Sequence, residues 1–212
     1  MNCYLPEALA PLTPAMTPER LRRLQARGEL VTGPALWCDE AHRLHCTVGG
    51  LPAVIPRAEG ALGVAEGAVR DIAILSRVGK AVTAAVTAVP EEGPVVLSRA
   101  AAQVAARDHL LAHGRPGDIL PAVITSLAPF GAFCDVGCGM TALLPLENIS
   151  VSRIGHSRDR FRVGQEIRAV LLELDRQRGR ITLTHKELLG TWEENAARFR
   201  PGQTVPGVVR SV

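Results

Sequence analysis

Phe130 and Phe133 stand three residues apart in the run Pro129-Phe130-Gly131-Ala132-Phe133-Cys134-Asp135-Val136. Only 3% of the chain is aromatic, so the pair stands out. Phenyl rings on a surface let nucleobases lie flat against them, an interaction worth about 1 to 3 kcal/mol per base and nearly blind to base identity. Residues three apart in a regular strand point to opposite faces, so both rings reach one side only if Gly131 admits a bulge. Beyond that kink, Phe133 and Asp135 are expected to face outward, and Cys134 and Val136 to face the core. The residue types alone leave a second reading open, in which one or both rings are core side chains.

Cations flank this run. Residues 150–162 hold Arg153, Arg158, Arg160, Arg162 and His156 against a single acid, Asp159. Asp175-Arg176-Gln177-Arg178-Gly179-Arg180 forms a second cluster, and Lys186 follows it. All but two of the 24 basic side chains are arginines, the exceptions being Lys80 and Lys186. Guanidinium groups make bidentate contacts to phosphate and stack on bases. A GC-rich coding sequence would raise Arg, Ala and Gly together, so abundance alone has two explanations. The net charge of +3 is too mild to demand a polyanionic partner. What counts is the convergence of arginines with the aromatic pair, the combination that sequence-tolerant single-strand binding requires.

The elements that must position these groups repeat along the chain. Arg115-Pro116-Gly117 recurs as Arg200-Pro201-Gly202, and Val78-Gly79-Lys80 as Val163-Gly164-Gln165. The repeat divides the chain into a head segment with a short helix (1–28), repeat one (29–113), repeat two (114–200) and the first strand of a truncated third repeat (201–212). Within repeat two the runs ILPAVITSL, AFCDVG, MTALLPL, EIRAVLLEL and GRITLT read as five strands separated by Gly-rich or polar turns. Pro121 is awkward inside the first of these and is expected at an edge or bulge. Ser98 can cap a helix over residues 99–113, and Thr17 can cap one from Pro18 to Arg27 that Gly28 ends. Thr184 with Glu187 and Thr191 with Glu194 each match a capping box. The fold class that follows is all-β with linker helices: two tandem five-stranded Greek-key barrels of the oligonucleotide-binding (OB) type, with a binding face on the second and third strands.

With 212 residues, of which 47% are hydrophobic, the chain can bury a core, so wholesale disorder is unexpected. Its charges interrupt every apolar run short of a membrane span, and the N-terminal stretch lacks the basic start and apolar block of a signal peptide. A cytoplasmic chain is expected, and its five cysteines are then expected to be free thiols.

The segments PFGAFCDVGCGMTALLPLENIS, FRVGQEIRAVLLELD and GRITLTHKE resemble the RNA-binding repeat of bacterial ribosomal protein S-one. The resemblance covers repeat two fully, repeat one loosely and the start of repeat three. It implies an N-terminal piece of a multi-repeat protein that binds single-stranded RNA, holding messenger RNA at the small ribosomal subunit in translation. The family's RNA surface, carried over, falls on Phe130, Phe133, Pro145, Asp175 and Arg180. Pro145 departs from the pattern, because it cannot donate a hydrogen bond where the family often has His. Asp175 has a plainer role open to it as a turn residue. The wider RNA-contacting set expected is Phe130, Phe133, Asp175, Arg180, Arg153, His156, Arg158, Arg160, Arg178 and Lys186.

Repeat two carries 12 basic and 10 acidic side chains against 7 and 9 in repeat one, where His42 and His45 align with Phe130 and Phe133. Weak RNA binding and a docking or spacer role are therefore expected of repeat one. Cys38, His42, His45 and Cys46 are possible zinc ligands, but their spacing is not a standard one and strand parity separates Cys46 from His45, so no metal is expected. No nucleophile elbow, phosphate-cradling glycine loop or helical His-Glu motif is present, so neither catalysis nor a cofactor is expected. The alternative function is a protein-docking or RNA-tethering module for the ribosome or an RNA-processing enzyme.

Overall fold

The computed structural model of the chain describes residues 4–204. The Thr17 hydroxyl accepts the Arg20 amide at 3.4 Å, and Pro18 supplies the fixed φ of a first helical turn. The resulting helix, α1 (Pro18–Arg27), ends at Gly28, whose φ of +65° turns the chain away. Five strands follow: β1 (Leu30–Cys38), β2 (Leu44–Val48), β3 (Leu51–Ile55), β4 (Ala81–Ala88) and β5 (Val95–Ser98), with the short helix α2 (Ile72–Leu75) between β3 and β4. They close into a barrel in the order β1-β2-β3-β5-β4. Only β3 and β5 run parallel, meeting through Ala53 and Val95.

Ser98 ends β5 and caps the next helix, its hydroxyl accepting the Ala101 amide at 2.8 Å. That helix, α3 (Arg99–His113), buries Arg99, Ala102, Gln103 and Ala106, one face at helical spacing. Ala102 and Ala106 pack into the core of the second barrel. The second barrel comprises β6 (Ile119–Ala128), β7 (Gly131–Asp135), β8 (Thr141–Pro145), β9 (Glu166–Asp175) and β10 (Arg180–Thr184). It repeats the order of the first, β6-β7-β8-β10-β9, with β8 and β10 parallel through Leu143 and Thr182. Leu44, Ile55, Ile74 and Leu97 fill the first barrel, and Ile124, Leu144, Leu171 and Leu183 the second. Burying each such side chain contributes about 1.5 to 3 kcal/mol.

Thr191 and Glu194 form their capping box at the start of α4 (Trp192–Ala196). The box expected at Thr184 and Glu187 does not form. Thr184 is the last residue of β10, buried, with its hydroxyl 3.5 Å from the Asn148 carbonyl, so barrel closure takes the side chain that a cap would need. Pro121 lies opposite Arg168 of β9, while pairing with β7 starts only at Val123, which leaves it a ladder on one side as an edge position allows. The strand expected for a third repeat falls mainly on residues 205–212, outside the described residues.

The stretch 4–13 straps the two barrels together. Its Leu5 carbonyl accepts the Cys138 amide at 2.9 Å, and its Thr13 hydroxyl accepts the Thr32 amide at 2.8 Å. Between these, Glu7 is 2% exposed and takes Arg99 in a two-pronged ion pair, Nε to Oε1 at 2.6 Å and Nη2 to Oε2 at 2.9 Å. Its backbone amide donates to Asp135 Oδ2 at 2.7 Å. Asp135 therefore does not face solvent as strand alternation predicts. It does lie on the outer side of β7, but the strap covers that side, leaving it 5% exposed.

Candidate nucleic-acid interface

β7 is short and starts at Gly131, so Phe130 sits in the turn before it and Phe133 in its middle. Phe133 pairs with Ser126 of β6 and Leu143 of β8. Because Phe130 lies in that turn, strand alternation does not bind it, and the β6–β7 bulge falls instead at Thr125 on the partner strand, where the register shifts between Ile124 and Ser126. Gly131 contributes differently from the bulge expected there. Its φ is +156°, and a Cβ on it would collide with the Leu144 carbonyl oxygen, so only glycine lets β8 approach this closely.

Both rings lie on the outside of the barrel. Phe130 is 59% exposed and Phe133 half-buried, their centroids 5.9 Å apart and their planes at 84°. An edge-to-face pair makes a corner rather than a flat shelf, with Phe130 as the open ring. Cys134 faces inward as expected and is buried, which pushes its thiol up to about 12. Cys138 is likewise buried, in the turn after β7.

A row of outward side chains crosses the sheet from Phe133 through Leu143 to Thr182. Arg180, two residues back along β10, is exposed on the same face. Period-two counting along TALLP and RITLT signals Leu143 and Thr182, which the sequence reading did not single out. At the other end, the Ser157 hydroxyl donates to the Ala128 carbonyl at 2.8 Å and ties the arginine-bearing loop to the turn that holds Phe130.

The structure sorts the remaining expected residues. Arg153 and Arg178 are exposed. His156 caps a 3-10 turn, its Nδ1 accepting the Arg158 amide at 3.1 Å, while Arg158 Nη2 sits 3.0 Å from its Nε2. Arg160 donates to the Ser152 hydroxyl at 2.7 Å. Asp175 Oδ1 accepts the Gln177 and Arg178 amides, each at 3.0 Å, so one of its oxygens shapes the hairpin. Lys186 is half-buried in the turn that follows β10.

The first barrel presents a different face. His45 takes the place of Phe133, and Trp37 stacks on it with centroids 3.8 Å apart and planes 1° from parallel. No repeat-based count flags Trp37, because its equivalent in repeat two is Ser126. Arg43 and Arg57 here are already paired. Asp39 receives Arg43 Nε at 2.7 Å and His45 Nε2 at 3.1 Å, and Asp71 pairs with Arg57 and His42. Desolvation works against ionisation of Asp39, yet the hydrogen bonds from His45 and Arg43 outweigh it and hold the carboxyl well below its ordinary range. His45 and Cys46 point to opposite faces of β2, Cys46 into the core.

With this geometry in hand, residues 115–186 match the family model described as S1 RNA binding domain. The second barrel is an S1-type domain. Small ribosomal subunit protein bS1 of Staphylococcus aureus (strain COL) is 31% identical over 125 residues, which is 57% of this chain and 32% of that protein. The bS1 homolog of Bacillus subtilis (strain 168) is 30% identical over the same shares of each chain. The bS1 protein of Synechococcus elongatus is 38% identical over 84 residues, 40% of this chain and 28% of its own length. The match spans about a third of the length of these relatives. The S1 domain thus coincides with the barrel that carries Phe130, Phe133 and Arg180. Among the described residues, no helix is long and apolar enough to cross a membrane.

Proposed function

We propose that the S1 domain of this chain binds single-stranded RNA across the outer face of β7, β8 and β10. Bases stack in the corner made by Phe130 and Phe133, while Arg180 at one end and the loop bearing Arg153, His156, Arg158 and Arg160 at the other meet the phosphates. The observation that carries this reading is the outward placement of both phenyl rings, one of them 59% exposed, on the face that also holds Arg180. The similarity to bS1 proteins supports a role in translation, with messenger RNA as the strand, the small ribosomal subunit as the partner and the cytoplasm as the place. The role is one of binding rather than catalysis.

Fluorescence anisotropy of a labelled single-stranded RNA tests it. Phe130→Ala/Phe133→Ala is expected to lose about 2 to 4 kcal/mol of binding free energy, and Arg180→Ala to weaken binding and lower its salt slope by about one. Unchanged affinity in both variants removes this face as the binding surface.

A second reading has its own observation. Leu36, Trp37, Ile72, Leu75 and Val78 are all exposed on the first barrel, where Arg43 and Arg57 are taken up by Asp39 and Asp71. Such a surface suits protein contact better than phosphate. Association through it would persist as salt rises, whereas RNA binding weakens steeply.

A further inference from the structure

A cleft of about 290 Å³ lies between the two barrels. One wall carries Arg77, Gln103 and Arg107, from the turn after α2 and from α3; the other carries Thr125, Thr141 and Gly179 of the S1 domain. The cleft continues the aromatic face. Thr141 pairs with Asp135, two residues along from the Leu143–Phe133 pair and on the same side of the sheet. Two residues of strand span about 7 Å, so the mouth of the cleft lies about one nucleotide step from Phe133. On the neighbouring strand, the Thr125 hydroxyl donates to the Phe133 carbonyl at 3.1 Å.

Charge inside the cleft is unevenly satisfied. Glu7 is matched by Arg99, and the oxygens of Asp135 accept the amides of Glu7, Gly137 and Gly139. Arg77 reaches Glu7 through Nη1 at 3.2 Å, yet its buried Nε has no hydrogen-bond partner among the described residues. A guanidinium left short of acceptors in this way favours an added anionic oxygen beside it. Arg107 is turned toward Asp108, its immediate neighbour on the same helix, at 3.0 Å. That exposed pair is weak and exchanges readily for a phosphate, which takes a guanidinium in two parallel bonds.

We propose that a strand stacked on Phe130 and Phe133 continues into this cleft, where Arg77 and Arg107 hold one of its backbone phosphates. The first barrel and α3 then complete the RNA site of the S1 domain instead of standing apart as a spacer. The inference rests on the RNA-binding reading of the second barrel, and strand length separates the two. A dinucleotide, one base to each ring, occupies the aromatic corner alone, and a strand of about 4 nucleotides or more reaches the cleft.

Anisotropy with both lengths is measured on the full chain carrying Arg77→Gln, Arg107→Ala or Phe130→Ala/Phe133→Ala. Each arginine variant is expected to weaken the longer strand roughly five- to tenfold and to lower its salt slope by about one, leaving the shorter strand unaffected. The phenylalanine variant is expected to weaken both lengths. Wild-type affinity and slope for the longer strand in Arg107→Ala overturn the cleft assignment even if Arg77→Gln fails to fold, and leave the aromatic reading standing. Undiminished binding in the phenylalanine variant overturns the aromatic reading instead. A nucleoside monophosphate is expected not to displace the longer strand. Displacement that vanishes in Arg77→Gln makes the cleft a free-nucleotide site and overturns the assignment to a backbone phosphate.

Discussion

At Gly131 two requirements meet in one residue. Its φ of +156° is poorly tolerated by side-chain-bearing residues, and a Cβ would press on the Leu144 carbonyl and lie 3.0 Å from Pro145 Cα. Gly131→Ala is therefore expected to cost about 1 to 3 kcal/mol of stability and to shift Phe130, which precedes it directly. Thermal denaturation beside RNA anisotropy checks this, and a variant with unchanged melting and affinity would show that the close approach of β8 is dispensable. The importance of Gly131 is legible in the sequence, since a glycine between two aromatics in a strand asks for a reason. The bulge itself is not legible there. It falls at Thr125 on the neighbouring strand, and strand pairing, not local sequence, decides which partner absorbs the extra residue.

Among the elements, α3 does the most to relate the barrels. Its N-terminus is fixed by Ser98, whose hydroxyl both accepts the Ala101 amide and donates to Glu59. Its alanines let the second barrel's core approach closely. Ser98→Ala is expected to destabilise the protein by about 0.5 to 2 kcal/mol, read from the denaturant midpoint, because both a cap and the partner of Glu59 are lost. Equal midpoints would show the helix to be held by packing alone. The caps at Thr17, Ser98 and Thr191 follow from local sequence because a cap is satisfied within four residues. The one expected at Thr184 fails for the complementary reason: closing β10 into the barrel is worth more than a cap, and it buries the side chain.

Across the whole molecule, the strap residue Glu7 brings Arg99 and Asp135 into one buried ionic cluster. Desolvation, with the charge of Glu7 adding to it, pushes Asp135 up to about 6, against about 3.9 in an unfolded chain. Between these values the folded state holds more protons than the unfolded state. The stability this site contributes is thus fully present below about pH 4 and is lost as pH rises through 6. From pH 5 to pH 7 the wild type is expected to lose stability relative to Asp135→Asn, by no more than about 3 kcal/mol. Denaturation midpoints of the two proteins at both pH values test this, and parallel pH profiles would show that Asp135 stays ionised throughout. Asp39, held low by the hydrogen bonds from His45 and Arg43, does not titrate in that window.

The sequence by itself determined what local physics can specify: the repeat and with it two barrels of one topology, the alternation that sends Cys134 and Cys46 inward, the caps of α1 and α3, and the aromatic pair. Tertiary structure alone decided what covers each face. Alternation says that Asp135 leaves the core, but not that Glu7, 128 residues earlier in the chain, lies over it. Nor does it say that Trp37 stacks on His45, or that Arg77 and Arg107 of one repeat line a cleft with Thr141 of the other. Period and propensity are properties of neighbours along the chain. Coverage, charge pairing and clefts are properties of neighbours in space, and they exist only once the barrels have closed and the strap has crossed between them.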